Sequence, residues 1–245
     1  MTSTPASSAT AADYGWIRSA PSLFGHLLST GYSMVLVRDV LPEQVPGLVG
    51  ASPWGSCRGA GELVDAHGDF LEECDDDPES TLLGASAVRD AEGRDWALVV
   101  DLGGDLGLRP GPMAALSAGT RAVAHYSNAG KPMDFFHWYE DGELRTAFEH
   151  PAHRDGTTPD ELNGVLRELG LDPDGDGDPA LDRKAAVLAL TERLTGVRVT
   201  VELLEAAEYL ASELPEEPVD GSDGVRIHLV DEHGAPVVIE STWDR

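Results

Sequence analysis

His150 and His153, with Glu149 and Asp155 beside them, place nitrogen and oxygen donors within one short loop, the donor set that zinc or iron takes. A metal held there would activate water, which would make the chain a small metal-assisted hydrolase. Pro151 breaks any helix between the two histidines, so they do not form the H-E-x-x-H pair of a helical metalloprotease site. No third histidine has a position that the sequence fixes, and we expect no bound metal. Asp172, Asp174, Asp176, Gly177 and Asp178 look like the opening of a calcium loop, where alternate oxygens and a turning glycine wrap the ion. The second half fails, because Arg183 stands where the bidentate glutamate belongs and Pro179 where the apolar anchor belongs. An interhelical loop accounts for it better.

Gly103, Gly104 and Gly107 follow an apolar run as a phosphate-cradling loop would, yet match neither G-x-G-x-x-G nor G-x-x-x-x-G-K-[ST]. No serine sits in a G-x-S-x-G elbow, and neither Cys57 nor Cys74 has a base placed beside it. Two cysteines make no disulfide framework and read as reduced thiols. His125 and His137 fall on strand faces, where a packed imidazole is the ordinary finding. No catalytic residue and no cofactor are predicted.

Binding has more support. Asp141-Gly142, between Pro132–Glu140 and Glu143–Glu149, is the signal of a type I′ hairpin. A two-residue turn pairs Tyr139 with Leu144, His137 with Thr146 and Phe135 with Phe148 on one face, read here as the core side. The other face then sets Phe136 opposite Ala147, Trp138 opposite Arg145 and Glu140 opposite Glu143, so that an indole stacks under a guanidinium. Phe136, Trp138 and Arg145 are the candidate binding residues, tryptophan and arginine being the types that dominate interface hot spots. Burial of Trp138 under other elements is the competing account.

The elements that must position these residues begin after a flexible tail over residues 1–12. Helices are expected around Tyr14, Trp16 and Ile17 and from Leu23 to Leu28, then a strand over Ser33–Val40 that is apolar on both faces and therefore interior. A short helix opens at Pro42. The acids from Glu62 to Glu79 read as a solvated face or loop. A hairpin follows, with strands Thr81–Val88 and Trp96–Leu102, then a short helix from Pro112 and the strand Arg121–Ser127. Three helices come next: one capped by Thr158-Pro159-Asp160-Glu161, one over Asp182–Leu194, and one from Thr200 with Leu203, Leu204, Ala207 and Leu210 at helical spacing. The acidic segment 213–224 reads as a linker to a final hairpin, Val225–Val230 with Pro236–Thr242, docked on or extending the main body. The expected architecture is α+β: residues 13–212 form a mainly antiparallel sheet of about five strands with helices packed against it, and residues 213–245 add the linker and C-terminal hairpin.

Composition limits the partners. The chain has 245 residues, is 41% hydrophobic, and carries a net charge of −27 with only two lysines, Lys131 and Lys184. That field repels nucleic acid and anionic membrane surfaces and permits a basic protein partner. The start lacks a signal-peptide pattern and no stretch is long enough to span a membrane, so a cytoplasmic location is expected.

Asp13-Tyr14-Gly15-Trp16, Val35-Leu36-Val37-Arg38, Tyr139-Glu140-Asp141-Gly142-Glu143-Leu144, Thr146-Ala147-Phe148-Glu149, Leu169-Gly170-Leu171-Asp172-Pro173 and Glu192-Arg193-Leu194-Thr195-Gly196-Val197 are short stretches spread along the chain. Together they resemble an uncharacterised bacterial family, domain of unknown function 6461. The resemblance covers about residues 13–210 and implies an architecture but no activity or catalytic residue. The expected function is a non-enzymatic protein-binding domain of the adaptor or toxin-neutralising type. The alternatives are the hydrolase at His150 and His153, or a sensor with a small-ligand pocket between sheet and helices.

Overall fold

A computed structural model describes residues 8–18, 31–74, 80–128, 133–175 and 177–215, with the strand backbones 225–230 and 236–241. It divides into two units, Met1–Pro215 and Glu216–Arg245. The expected helix at Leu23–Leu28 and the linker residues 216–224 lie outside the described residues.

The first unit is built on one eight-stranded sheet rather than the five strands expected, in the order β2-β8-β3-β4-β1-β5-β6-β7, antiparallel throughout. The strands are β1 Tyr32–Arg38, β2 Ser52–Arg58, β3 Ser80–Arg89, β4 Asp95–Leu102, β5 Arg121–Asn128, β6 Met133–Glu140, β7 Glu143–Phe148 and β8 Glu208–Pro215. Six α-helices accompany them among the described residues: α1 Val45–Val49, α2 Gly59–Glu73, α3 Pro110–Leu116, α4 Asn163–Glu168, α5 Arg183–Thr195 and α6 Val201–Ala206. The strand β1 is central, as its two apolar faces require: Met34 and Leu36 enter one core, Val35 and Val37 the other.

The larger core lies under α2 and α5, with Leu63, Phe70 and nearly every residue of α5 buried against Leu98, Val100 and Phe136. The smaller lies under α1 and α3, through Val45, Val49, Met113 and Leu116. A 3-10 helix, Ala11–Arg18, is tied along α5: the Tyr14 hydroxyl donates to Glu192 Oε2 (2.9 Å), Arg193 Nε donates to the Ala9 carbonyl (2.9 Å), and Arg18 grips Asp182. Ala9 is buried, so the expected tail ends earlier than residue 12.

Three readings change. The acidic run from Glu62 forms the 15-residue helix α2, because Leu63, His67 and Phe70 supply a buried stripe at helical spacing beneath the carboxylates. The helix from Thr200 stops at Ala206, and Glu208 onward turns into β8, where Tyr209 and Ala211 enter the larger core and Leu214, on the opposite face, the smaller one, which outweighs the helical spacing of Leu203 and Leu210. Thr158 does not cap a helix: α4 begins only at Asn163, and the Thr158 hydroxyl accepts from Arg145 Nε instead. The second unit contains a two-stranded antiparallel sheet, β9 Val225–Val230 with β10 Pro236–Ser241.

Candidate functional site

The hairpin forms with the expected turn, Asp141 and Gly142 both having positive φ (54° and 81°). Its register holds only next to the turn. Tyr139 pairs with Leu144 and Glu140 with Glu143, but a bulge then makes Arg145 an extra residue, so Trp138 pairs with Thr146, His137 with Ala147 and Phe136 with Phe148. The faces change accordingly. Phe136 and Trp138 point into the larger core, Trp138 being 3% exposed, while Phe135 and His137 remain half-buried. A buried indole offers no docking surface, and the three residues do not form an exposed patch.

The indole–guanidinium stack does form. The Arg145 guanidinium lies 5.4 Å from the Trp138 ring centroid and that of Arg121 lies 5.3 Å away. Arg145 also donates to Thr158 Oγ1 (3.0 Å) and Glu161 Oε2 (2.6 Å), and Arg121 makes a two-pronged pair with Glu140. Both cations are committed internally. The bulge is covered by backbone bonds from Asp155, Thr157 and Thr158 to β7, which seal that edge of the sheet.

The loops read as candidate metal sites are tied up by their own turns. His150 and His153 stand with ring centroids 6.4 Å apart, and Arg183 donates to the Glu149 carbonyl (2.5 Å) and lies 3.4 Å from His150 Nδ1. Asp172 accepts from the Asp174 amide, Asp174 pairs with Arg167 and Asp178 accepts from the Ala180 amide; Asp176 lies outside the described residues. Among the described residues, no group of three or more His, Cys, Asp or Glu side chains is placed to hold a metal ion.

The glycine loop wraps a side chain of the protein itself. Asp101 is fully buried and accepts the Leu106 amide on Oδ2 (3.0 Å), while Ser33 Oγ accepts the Gly107 amide (2.8 Å). A Cβ on Gly104 would stand 2.2 Å from the Asp101 carboxylate oxygens. Burial pushes the Asp101 carboxyl up to about 6, against the Leu106 hydrogen bond that favours its charge.

Two features emerge that the sequence reading did not assemble. The first is a surface. The strand β2 is the other edge of the sheet, and among the described residues no strand pairs along its outer side. Trp54, at the bulge in β2, is 36% exposed and rests edge-on against Phe70 of α2 (5.3 Å, 83°). Along α2, Glu62, Asp65, Asp69, Glu72 and Glu73 are all exposed, and none of them pairs with a cation among the described residues. A shallow cavity of about 410 Å³ lined by Cys57, Arg58, Glu62, Glu208 and Tyr209 adjoins them. The acids were visible in the sequence; β2 was not, since Ser52-Pro53-Trp54-Gly55-Ser56 has no alternating pattern.

The second is a buried polar cluster at the end of the sheet where β1 starts. The Tyr32 hydroxyl lies 3.3 Å from His125 Nδ1, and Asp134 Oδ1 lies 3.6 Å from His125 Nε2 and 3.7 Å from Lys184 Nζ. Burial lowers the pKa of both His125 and Lys184, with Asp134 opposing the shift in each. Burial also works against the charge on Asp134, but the nearness of His125, the Lys184 ammonium and the Ser127 hydroxyl hold its carboxyl at about 2.

These features define an α+β protein whose antiparallel sheet is covered by helices on both faces and which presents an acidic helix with no cation partner among the described residues. The chain belongs to the family of unknown function DUF6461, which matches residues 7–219, wider at both ends than the sequence resemblance. No curated protein and no solved structure matches it. No helix among the described residues is long and apolar enough to cross a membrane.

Proposed function

We propose that the chain is a non-enzymatic binding protein of the adaptor or toxin-neutralising kind, cytosolic, that takes a basic protein partner on the surface formed by β2 and α2. One observation carries this reading: five exposed carboxylates with no cation partner among the described residues line a single helix beside the half-exposed Trp54. Asp65 and Asp69, and Asp69 and Glu73, are like charges four residues apart, each pair costing a few tenths of a kcal/mol in the isolated helix. A cationic partner relieves that repulsion, and the −27 net charge steers it in. Trp54 gives the contact an aromatic anchor already fixed by Phe70, so little side-chain freedom is lost on docking. Pro53 and the bulge blunt the edge against strand addition, which favours docking through side chains. The same net charge opposes pairing of two copies along β2.

The test uses an arginine-rich peptide of defined sequence, titrated against the full chain by calorimetry. Binding that weakens steeply with salt and falls about tenfold or more in Asp65→Asn/Asp69→Asn and in Trp54→Ser supports the surface. Affinity unchanged in both variants removes it.

A further inference from the structure

The cluster at the start of β1 is not used by the proposed binding surface and has a chemistry of its own. His125 is 1% exposed, Tyr32 is fully buried and Lys184, in the first turn of α5, is 6% exposed. One carboxylate oxygen, Asp134 Oδ1, faces two bases at nearly equal distances, 3.6 Å to His125 Nε2 and 3.7 Å to Lys184 Nζ. Both separations exceed a hydrogen bond, and neither Asp134 Oδ1 nor His125 Nε2 has another hydrogen-bond partner among the described residues. The other groups facing the site are the Tyr32 hydroxyl from β1, Ser127 from β5, Arg18 from the 3-10 helix and Asp182 at the N-cap of α5. Arg18 and Asp182 hold each other by two bonds of 2.9 and 3.1 Å.

With His125 neutral, the Tyr32 hydroxyl donates to Nδ1, the Nε2–H points at Asp134, and one carboxylate balances one ammonium. A proton on His125 adds a second cation where solvent scarcely reaches. Asp134 Oδ1 then has to serve two cations and holds each less well than one alone, and Asp182, the other carboxylate nearby, is engaged by Arg18. The two bases differ in freedom. His125 is fixed in β5 between β1 and β6, with its ring edge-on to Tyr32 (5.5 Å, 82°), whereas Lys184 sits on a flexible stem at a helix start.

We propose that His125 is an acid-sensing switch: its imidazolium takes Asp134 from Lys184, and the displaced ammonium loosens the first turn of α5 together with the 3-10 helix Ala11–Arg18 bound to it. Burial lowers the pKa of His125, so the switch acts on the acid side of the ordinary imidazole range, and burial likewise weakens the hold of Lys184 on its proton. The Tyr14–Glu192 bond ties the first half of the 3-10 helix to the last turns of α5, so the loosening is confined to the Arg18 end.

Hydrogen exchange of the full chain at about pH 7.5 and about pH 5, corrected for intrinsic rates, reads this directly. The expected result is an acid-induced loss of protection of about tenfold or more at residues 16–18 and 183–187, with the central amides of β1 and β4 still protected. Lys184→Met, which removes the competitor, is expected to keep α5 protected at the lower pH, and His125→Asn to abolish the pH response. The proposal is overturned if the wild-type segments exchange alike at both pH values, if Lys184→Met responds as the wild type does, or if protection is lost uniformly across the sheet. Titration of the His125 ring by NMR gives a second readout, and a ring that stays neutral down to about pH 4 also overturns it.

Discussion

Arg145, the extra residue of the bulge in β7, places its guanidinium over the indole of Trp138, the residue its neighbour Thr146 pairs with. The contact joins a half-exposed cation to a core aromatic, so the two substitutions should separate cleanly. Trp138→Ala empties part of the larger core and is expected to cost about 3–5 kcal/mol, lowering Tm by roughly 10 °C. Arg145→Ala removes the stack and the bonds to Thr158 and Glu161, and about 1–2 kcal/mol is expected. Thermal denaturation of both variants checks this; equal losses would mean that Trp138 contributes through Arg145 and not through burial.

Asp101 makes stability depend on pH. Its carboxyl takes up a proton near 6 when folded, against 3.8 as the ordinary value, because burial penalises its charge. The folded state therefore holds the extra proton between those values, and the stability it confers is complete below about pH 4 and lost as pH rises through 6. Asp101→Asn keeps an oxygen for the Leu106 amide without the charge. We expect the variant to gain about 1–3 kcal/mol over the wild type at about pH 7.5 and little at about pH 4, read from urea unfolding at each pH.

Two glycines should respond oppositely to alanine. At Gly104 the new Cβ would meet both Asp101 oxygens at 2.2 Å, and Asp101 is held in place by Leu106; a loss of about 2–4 kcal/mol is expected. At Gly68, inside α2, nothing lies within 4 Å, so alanine should add about 0.5–1 kcal/mol through helix propensity. A Gly68→Ala variant that unfolds earlier would count against α2 as drawn.

Cys57 and Cys74 are both free. Denatured, non-reduced protein should titrate two thiols. In the native state Cys74, half-buried, should react ahead of Cys57, whose thiol is buried and raised in pKa by that burial. Stopped-flow reaction with a thiol reagent gives the order, and a faster Cys57 contradicts it.

The sequence conveyed the centre of the sheet and lost its edges. Runs such as Val35-Leu36-Val37 and Leu98-Val99-Val100 are apolar on both faces because both faces are covered, and they read unambiguously. The edge strand β2 carries Pro53, Gly55 and two serines with little buried, so no period marks it. The hairpin register failed at Arg145 because a bulge leaves no local sign, and one residue of slip exchanged the faces and sent Trp138 inward. The polar cluster was beyond reach for another reason: Tyr32, His125, Asp134 and Lys184 come from four separate elements, and only the sheet order brings them together.

The position of β8 decides when this sheet can exist. Strands β2 and β3 run parallel, linked by α2, and both pair with β8, which begins 150 residues after β2 ends. A growing chain can assemble β3, β4, β1, β5, β6 and β7 once residue 148 has emerged, but the edge of β3 that pairs with β8 stays open until residues 208–215 arrive. During synthesis that row of amides and carbonyls is a sticky template, and closing it is a long-range, slow event. Chains ending before Glu208 should therefore aggregate rather than fold to a smaller sheet, which makes the last strand of the family region the gate through which a nascent molecule leaves its dangerous state.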